Sequence, residues 1–125
     1  MEKLTGTFRG LANPDRLRIV YLLAMSEMPL CVCEIVEALG LPQYQVSKHL
    51  RTLRGLNLIE SRREGRWAYY SLARTQRVRR LAGFLIDSLP RQGMGEELDR
   101  LHKRLELRNR GKCTVKPRRA KREPS

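Results

Sequence analysis

The sequence predicts a mainly α-helical fold with a β-hairpin wing, a winged helix-turn-helix, from three observations. Two short apolar-periodic segments, about Cys31 to Leu39 and Gln43 to Arg54, flank a turn of a few residues, which is helix-turn-helix spacing. Two strand-like runs, Leu58 to Arg63 and Arg66 to Leu72, meet around Glu64-Gly65 as a tight hairpin. The balance of 26 Lys and Arg against 13 Asp and Glu, a formal charge of +13, favours an anionic partner, and a phosphate backbone is the commonest. At 125 residues the chain amounts to one domain with one core.

The first firm landmark is Asn13-Pro14-Asp15. Asn13 caps orphan amides, Pro14 suits the first helical position, and Asp15 complements the positive end of the dipole. The helix starting here carries Leu17, Val20, Tyr21 and Ala24 on one stripe, widened by Ile19, Leu22 and Leu23, and is the central core helix. The stretch before it, Leu4 to Ala12, is compatible with a short helix weakened by Gly6 and Gly10. After a turn at Met28-Pro29 the segment from about Cys31 runs to Leu39, with Gly40 as a left-handed cap and Leu41-Pro42 as connector. In the helix from Gln43, at ~100° per residue, Val46, His49, Leu50 and Leu53 face inward while Tyr44, Ser47, Lys48 and Arg51 face outward. Gln43, Tyr44, Gln45, Ser47, Lys48 and Arg51 are therefore its candidates for base edges and phosphates.

Arg62, Arg63 and Arg66 cluster near the hairpin tip, within reach of a phosphate or a minor groove. Trp67, Tyr69 and Tyr70 lie inside a strand, which favours core and sheet packing over base stacking. From Thr75, a cap, to Leu89 a further helix places Val78, Leu81, Ala82, Leu85 and Leu89 on one side, either a dimer seam or packing within the domain. Pro90 to Gly95 reads as a linker to a short helix with Leu98, Leu101 and Leu105 on one stripe. Beyond Gly111 a Lys/Arg-rich stretch with Pro117 and Pro124 reads as a disordered tail. The expected organisation is a DNA-binding and dimerisation domain over 1–90, a linker and short helix over 91–110, and a basic tail over 111–125.

Met1 to Gly10 carries Glu2, Lys3 and Arg9 and lacks the apolar core of a secretory signal; the longest apolar run, Ile19 to Met25, is far short of the ~20 residues that span a bilayer. A cytoplasmic protein without a membrane partner is expected. In that reducing compartment three cysteines point to free thiols or metal ligands rather than a disulfide framework. No nucleophile with a paired base, phosphate-cradling glycine loop or carboxylate pair argues for an enzyme.

Three runs, in this order, are more specific. Leu11-Ala12-Asn13-Pro14-Asp15-Arg16-Leu17-Arg18-Ile19, Val46-Ser47-Lys48-His49-Leu50-Arg51-Thr52-Leu53-Arg54 and Gly65-Arg66-Trp67-Ala68-Tyr69-Tyr70-Ser71-Leu72 resemble motifs of ArsR/SmtB-type metal-responsive repressors, over about Leu4 to Leu89. The resemblance implies a homodimer whose first and last helices build the subunit interface, bound to double-stranded operator DNA until a metal or metalloid releases it. One departure is Pro42, where many relatives place a capping Ser at the start of the recognition helix.

Leu30-Cys31-Val32-Cys33-Glu34-Ile35 resembles the sensor motif of the arsenical-resistance branch, which implies thiolates binding trivalent arsenic or antimony as inducer, with no permanent cofactor. Soft thiolates select soft ions, and a trivalent metalloid takes about three sulfurs in a pyramid. Because residues i and i+2 of a regular helix do not face each other, Cys31 and Cys33 are expected to grip one ion only if the first turn is unwound or bent. The best-known arsenic pattern has a third cysteine three residues after the second, where this chain has Val36; Cys113, the remaining thiol, is the candidate third ligand, with a small thiol or water as alternatives. The zinc-sensing relatives carry Asp and His ligands on the last core helix, where only Asp87 stands here, and His49 is expected to be a packed histidine.

The leading expectation is thus a repressor released by trivalent arsenic or antimony. Alternatives are the same fold answering to cadmium, lead or oxidants, or a DNA-binding protein with no effector. Two structural cysteines packed as small hydrophobes also remain possible at this level.

Overall fold

The computed structural model describes residues 1–89, 91–108 and 113. Helix α1, Glu2–Leu11, turns Thr7, Gly10 and Leu11 inward and leaves Leu4 and Phe8 exposed. Helix α2, Pro14–Met25, starts where the sequence places it: the Asn13 side chain accepts from the N–H groups of Asp15 at 2.9 Å and Arg16 at 3.0 Å, with Pro14 at the first position. Five consecutive residues, Ile19 to Leu23, are buried, so this helix is enclosed on nearly all sides.

Strand β1, Leu30–Cys31, runs directly into helix α3, Val32–Leu39. Gly40 ends α3 at φ 71°, the left-handed conformation only a glycine adopts without strain, and returns its N–H to the Val36 carbonyl at 2.8 Å. Helix α4, Gln43–Gly55, follows after Leu41-Pro42, with no side-chain cap at Pro42; the Pro42 carbonyl accepts from Gln45 and Val46 N–H. Val46, Leu50 and Leu53 are buried, as their spacing predicts. Strands β2, Ile59–Glu64, and β3, Trp67–Leu72, pair antiparallel from Ile59↔Leu72 to Glu64↔Trp67, leaving Gly65-Arg66 as a two-residue turn with Gly65 at φ 64°. Helix α5, Gln76–Ser88, is capped by the Thr75 hydroxyl on Val78 N–H at 3.2 Å. A 3-10 turn, Arg91–Met94, leads into helix α6, Gly95–Leu105.

The fold is the winged helix-turn-helix that the sequence predicts, and three details differ. First, β1 has no sequence signal two residues long, yet it joins the wing: the sheet order is β1-β3-β2, with Leu30 opposite Tyr70 and Cys31 opposite Tyr69. Cys31 is therefore the residue before α3 rather than inside its first turn. Second, of the two readings of the α5 stripe, packing within the domain holds for its buried members: Val78, Ala82 and Leu85 pack inward, and α5 lies against α2. Its exposed apolar residues are instead Phe84 and Ile86. Third, the segment read as a linker with a short helix lies against α3, burying Met94, Leu98 and Leu101. Of the stretch 111–125, expected as a basic tail, only Cys113 belongs to the described residues; the rest lies outside them.

One core joins these elements, with Ile19, Tyr21, Leu22, Leu30, Ile35, Leu50, Leu53 and Leu58 almost wholly enclosed. No helix among the described residues is long and apolar enough to cross a membrane.

The Asn13 cap predicts a graded response. Asn13→Ala removes both accepted bonds and should lower unfolding free energy by about 1 kcal/mol, whereas Asn13→Gly should cost only a few tenths. Urea unfolding followed by circular dichroism checks this, through a midpoint shift at unchanged slope.

Candidate functional site

The residue that organises the site is Glu34, in the first turn of α3 and 0% exposed. Its Oε1 accepts the Cys31 N–H at 3.0 Å, closing a capping box at the helix start. Cys31 stands in extended conformation, φ −89° and ψ 166°, held on its other side by the β3 ladder. A chain that leaves a strand and enters a helix over these residues brings side chains two apart onto the same side. The Cys31 and Cys33 sulfurs consequently approach to 3.2 Å with the helix intact, and the unwound first turn expected from a regular helix is not required.

The third thiol comes from the far end of the chain. Cys113 Sγ lies 2.7 Å from Cys31 Sγ and 3.2 Å from Cys33 Sγ, and its backbone N–H donates to the Tyr69 hydroxyl at 2.8 Å. Each of the three cysteines is buried and free of disulfides. Among the described residues these three form a group whose ligand atoms all lie within 4.8 Å of one another, the donor set a soft ion takes.

Three arginines at four-residue spacing tie this end of the molecule together. Arg100 Nε donates to the Ala38 carbonyl at 2.9 Å, near the end of α3. Arg104, four residues on and 2% exposed in its side chain, donates to Glu37 at 2.9 Å and to Cys33 Sγ at 3.2 Å, with Cys113 Sγ at 3.9 Å. Arg108 grips both oxygens of Glu34 at 2.7 Å, donates to the Pro29 carbonyl at 2.6 Å, and lies over the Tyr69 ring. The order runs backward along α3, so α6 descends antiparallel to it and ends at the cysteines.

These neighbours divide the thiols into unlike groups. Hydrogen bonding from the Cys31 thiol, joined by Cys113 and the Arg104 guanidinium, outweighs burial and holds Cys33 down to about 6. The same bond to Cys33, with burial, pushes Cys31 well above the usual thiol range, and burial above all raises Cys113 to about 11. At neutral pH the cluster is one thiolate shared among two thiols, with a guanidinium beside it.

A second surface lies on the other side of α3. Gln43, Tyr44, Lys48 and Arg51 of α4 are exposed, and Gln45 and Ser47 half-buried. His49 is half-buried against Asp15 and Arg16, and burial with the nearby Arg16 charge lowers its pKa. On the wing, Arg62, Arg63 and Arg66 are all exposed, but neighbouring strand residues point to opposite faces. Arg62 shares its face with Glu64, to which it is paired at 2.9 Å, while Arg63 projects from the other. Trp67 and Tyr70 are half-buried in the sheet and Tyr69 is buried, consistent with packing roles. Sequence reasoning missed Glu34, Tyr69, Arg104 and Arg108. The available signal was the Arg100, Arg104, Arg108 spacing, which places two cations along one edge of the apolar stripe of α6 and a third just past its end.

Residues 13–61 match the family model described as bacterial regulatory protein, arsR family. An arsenic resistance transcriptional regulator of Pseudomonas putida is 45% identical over 65 residues, 52% of this chain and 50% of that protein. The arsenical resistance operon repressor of Bacillus subtilis is 36% identical over 72 residues, 58% of this chain and 68% of that protein. The aligned region thus spans about half the length of the first of these and two thirds of the second. Among solved structures, a homodimeric winged helix-turn-helix DNA-binding domain from Mycobacterium bovis, described as a possible ArsR-family transcriptional regulator, superimposes with a TM-score of 0.62 at 32% identity, covering 70% of this chain and 78% of that one. These relatives are regulators, not enzymes.

The division among the thiols has a spectroscopic consequence. Absorbance at 240 nm should rise by one thiolate as pH increases through about 6. Cys33→Ser should abolish that step, and Arg104→Gln should move it upward by removing a stabilising cation. A first ionisation appearing only above the range of an ordinary free thiol would contradict the shared-thiolate arrangement.

Proposed function

Because this chain belongs to the arsR family of bacterial regulatory proteins, we propose that it is a repressor that binds operator DNA as a homodimer and is released by trivalent arsenic or antimony held on Cys31, Cys33 and Cys113. The observation that carries this reading is the convergence of three buried sulfurs of one chain within 4.8 Å. A site built this way holds one metalloid per subunit and uses no residue from the partner. Trivalent arsenic enters as As(OH)₃; each As–S bond replaces one hydroxyl, which leaves as water, two of the protons coming from the Cys31 and Cys113 thiols and the third from solvent because Cys33 is already a thiolate.

Release follows from what the cysteines are attached to. Cys31 is paired to Tyr69 of β3, the wing strand, and Cys33 sits in the first turn of α3, which packs against α4. An ion held by all three sulfurs would fix Cys31, Cys33 and Cys113 relative to one another, and any shift of the sulfurs to accommodate it would be passed to the wing strand through Cys31 and to α3 through Cys33. A dimer reads two half-sites in fixed spacing, so a modest change in either reading element weakens both. Complete switching calls for ~10⁴-fold preference of the ion for the released state.

The DNA surface in this reading is the outward face of α4, with Tyr44, Ser47, Lys48 and Arg51 toward base edges and phosphates, and the wing, with Arg63 and Arg66 toward the backbone. Gln43, Gln45 and Arg62 complete the set. Dimerisation through α1 and α5 is supported by the apolar residues they leave exposed, Leu4 and Phe8 on one and Phe84 on the other.

Two measurements test the reading. Purified reduced protein bound to its own promoter fragment should dissociate when arsenite or antimonite is added, and Cys31→Ser or Cys33→Ser should abolish the response while leaving binding intact. Cys113→Ser should weaken metalloid affinity and reduce the sulfur count from three to two by X-ray absorption; an unchanged count would remove Cys113 from the site. For the DNA surface, Lys48→Ala should weaken specific and random DNA alike and flatten the log–log salt dependence by about 1.

A further inference from the structure

Among the described residues Arg104 is a cation in hydrogen-bond contact with the sulfurs, and the proposed sensing of arsenic and antimony does not call for it. Its guanidinium is enclosed, held between Glu37 at 2.9 Å and Cys33 Sγ at 3.2 Å, with Cys113 Sγ at 3.9 Å. A guanidinium does not deprotonate in a protein, so the positive charge faces the sulfurs whatever they bind.

We propose that Arg104 determines the charge class of the bound ion, extending the three-sulfur site from trivalent metalloids to soft divalent cations. This rests on the reading of Cys31, Cys33 and Cys113 as one ligand set.

The argument is charge conservation at a buried site. A trivalent metalloid added as As(OH)₃ to the thiolate and two thiols takes up one proton from water and yields a neutral trithiolate and three waters. A divalent cation added to the same cluster releases two protons and leaves a trithiolate of net charge −1. Only the second product remains an anion facing Arg104. Its N–H···S contacts stay charge-assisted, the stronger kind, while those to a neutral trithiolate weaken and Arg104 keeps Glu37 as its anionic partner. Desolvation magnifies the difference, because a net charge in a buried site is costly unless an opposite charge is present. Without Arg104 the divalent complex would lose the cation in hydrogen-bond contact with its sulfurs, whereas the neutral metalloid complex would lose little. Glu37 works against Arg104 from the other side: 22% exposed, it neutralises part of the cation that the sulfurs see.

The test is titration of the reduced full chain with cadmium(II) and, separately, with arsenite, followed by thiolate-to-metal absorbance in the ultraviolet and placed on an affinity scale by competing chelators. Arg104→Gln should lower the ratio of cadmium to arsenite affinity by about tenfold, the scale of one charge-assisted hydrogen bond. Glu37→Gln, which keeps the cation and removes its competitor, should raise the same ratio, and it decides the matter if Arg104→Gln does not fold. A ratio unchanged in the folded variants, with both ions still taking three sulfurs, overturns the role of Arg104 and leaves the sensor reading standing. Failure of either ion to engage Cys113 in the unmodified chain, judged against Cys113→Ser, overturns both.

Discussion

The structure depends on the burial of one carboxylate. Glu34 has no exposed surface, and an isolated charge there would cost several kcal/mol. It is tolerated because Arg108 binds both oxygens and the Cys31 N–H binds one of them. Those bonds determine three positions together: where the helix α3 begins, where the strand β1 ends, and where the chain after α6 must lie. The cysteine geometry follows from the first two and the arrival of Cys113 from the third.

Charge placement explains why the cysteines form a site rather than part of the core. Three thiols in a wholly apolar setting would remain protonated and pack as small hydrophobes. Here α6 presents Arg104 to them, and the cluster holds one thiolate in a region otherwise closed to water. Helix α6 and the residues just after it close α3 at both ends, through Arg100 on the Ala38 carbonyl and Arg108 on Glu34. Because α3 packs against both α6 and α4, and β1 is a strand of the wing sheet, the thiols stand where α3, α6 and the wing sheet meet.

Much of this was legible beforehand. Asn13, Gly40, Gly65 and Thr75 are caps and turns whose signals are local, and each does in the structure what its chemistry predicts. The faces of α4 follow from a period of 3.6 and needed no partner to be read. The α5 stripe was ambiguous for a physical reason: periodicity reports that a face is apolar and says nothing about what covers it. Val78, Ala82 and Leu85 proved to be buried in a helix that lies against α2, while Phe84 and Ile86, off the stripe, are the residues left exposed. Strand β1 was invisible because two residues carry no alternation, and its existence depends on β3 offering a free edge.

The sequence by itself determined the helix-turn-helix, the wing, the basic outward surface and the presence of three thiols, since each is encoded by residues close together in the chain. Only the tertiary structure decided that Cys31 precedes its helix rather than lying within it, and that Cys113, eighty residues from Cys33, closes the cluster. Both outcomes turn on long-range ion pairs. Glu34 with Arg108 and Glu37 with Arg104 bring together residues whose separation no periodicity records, and a buried charge accepts whichever partner the fold delivers.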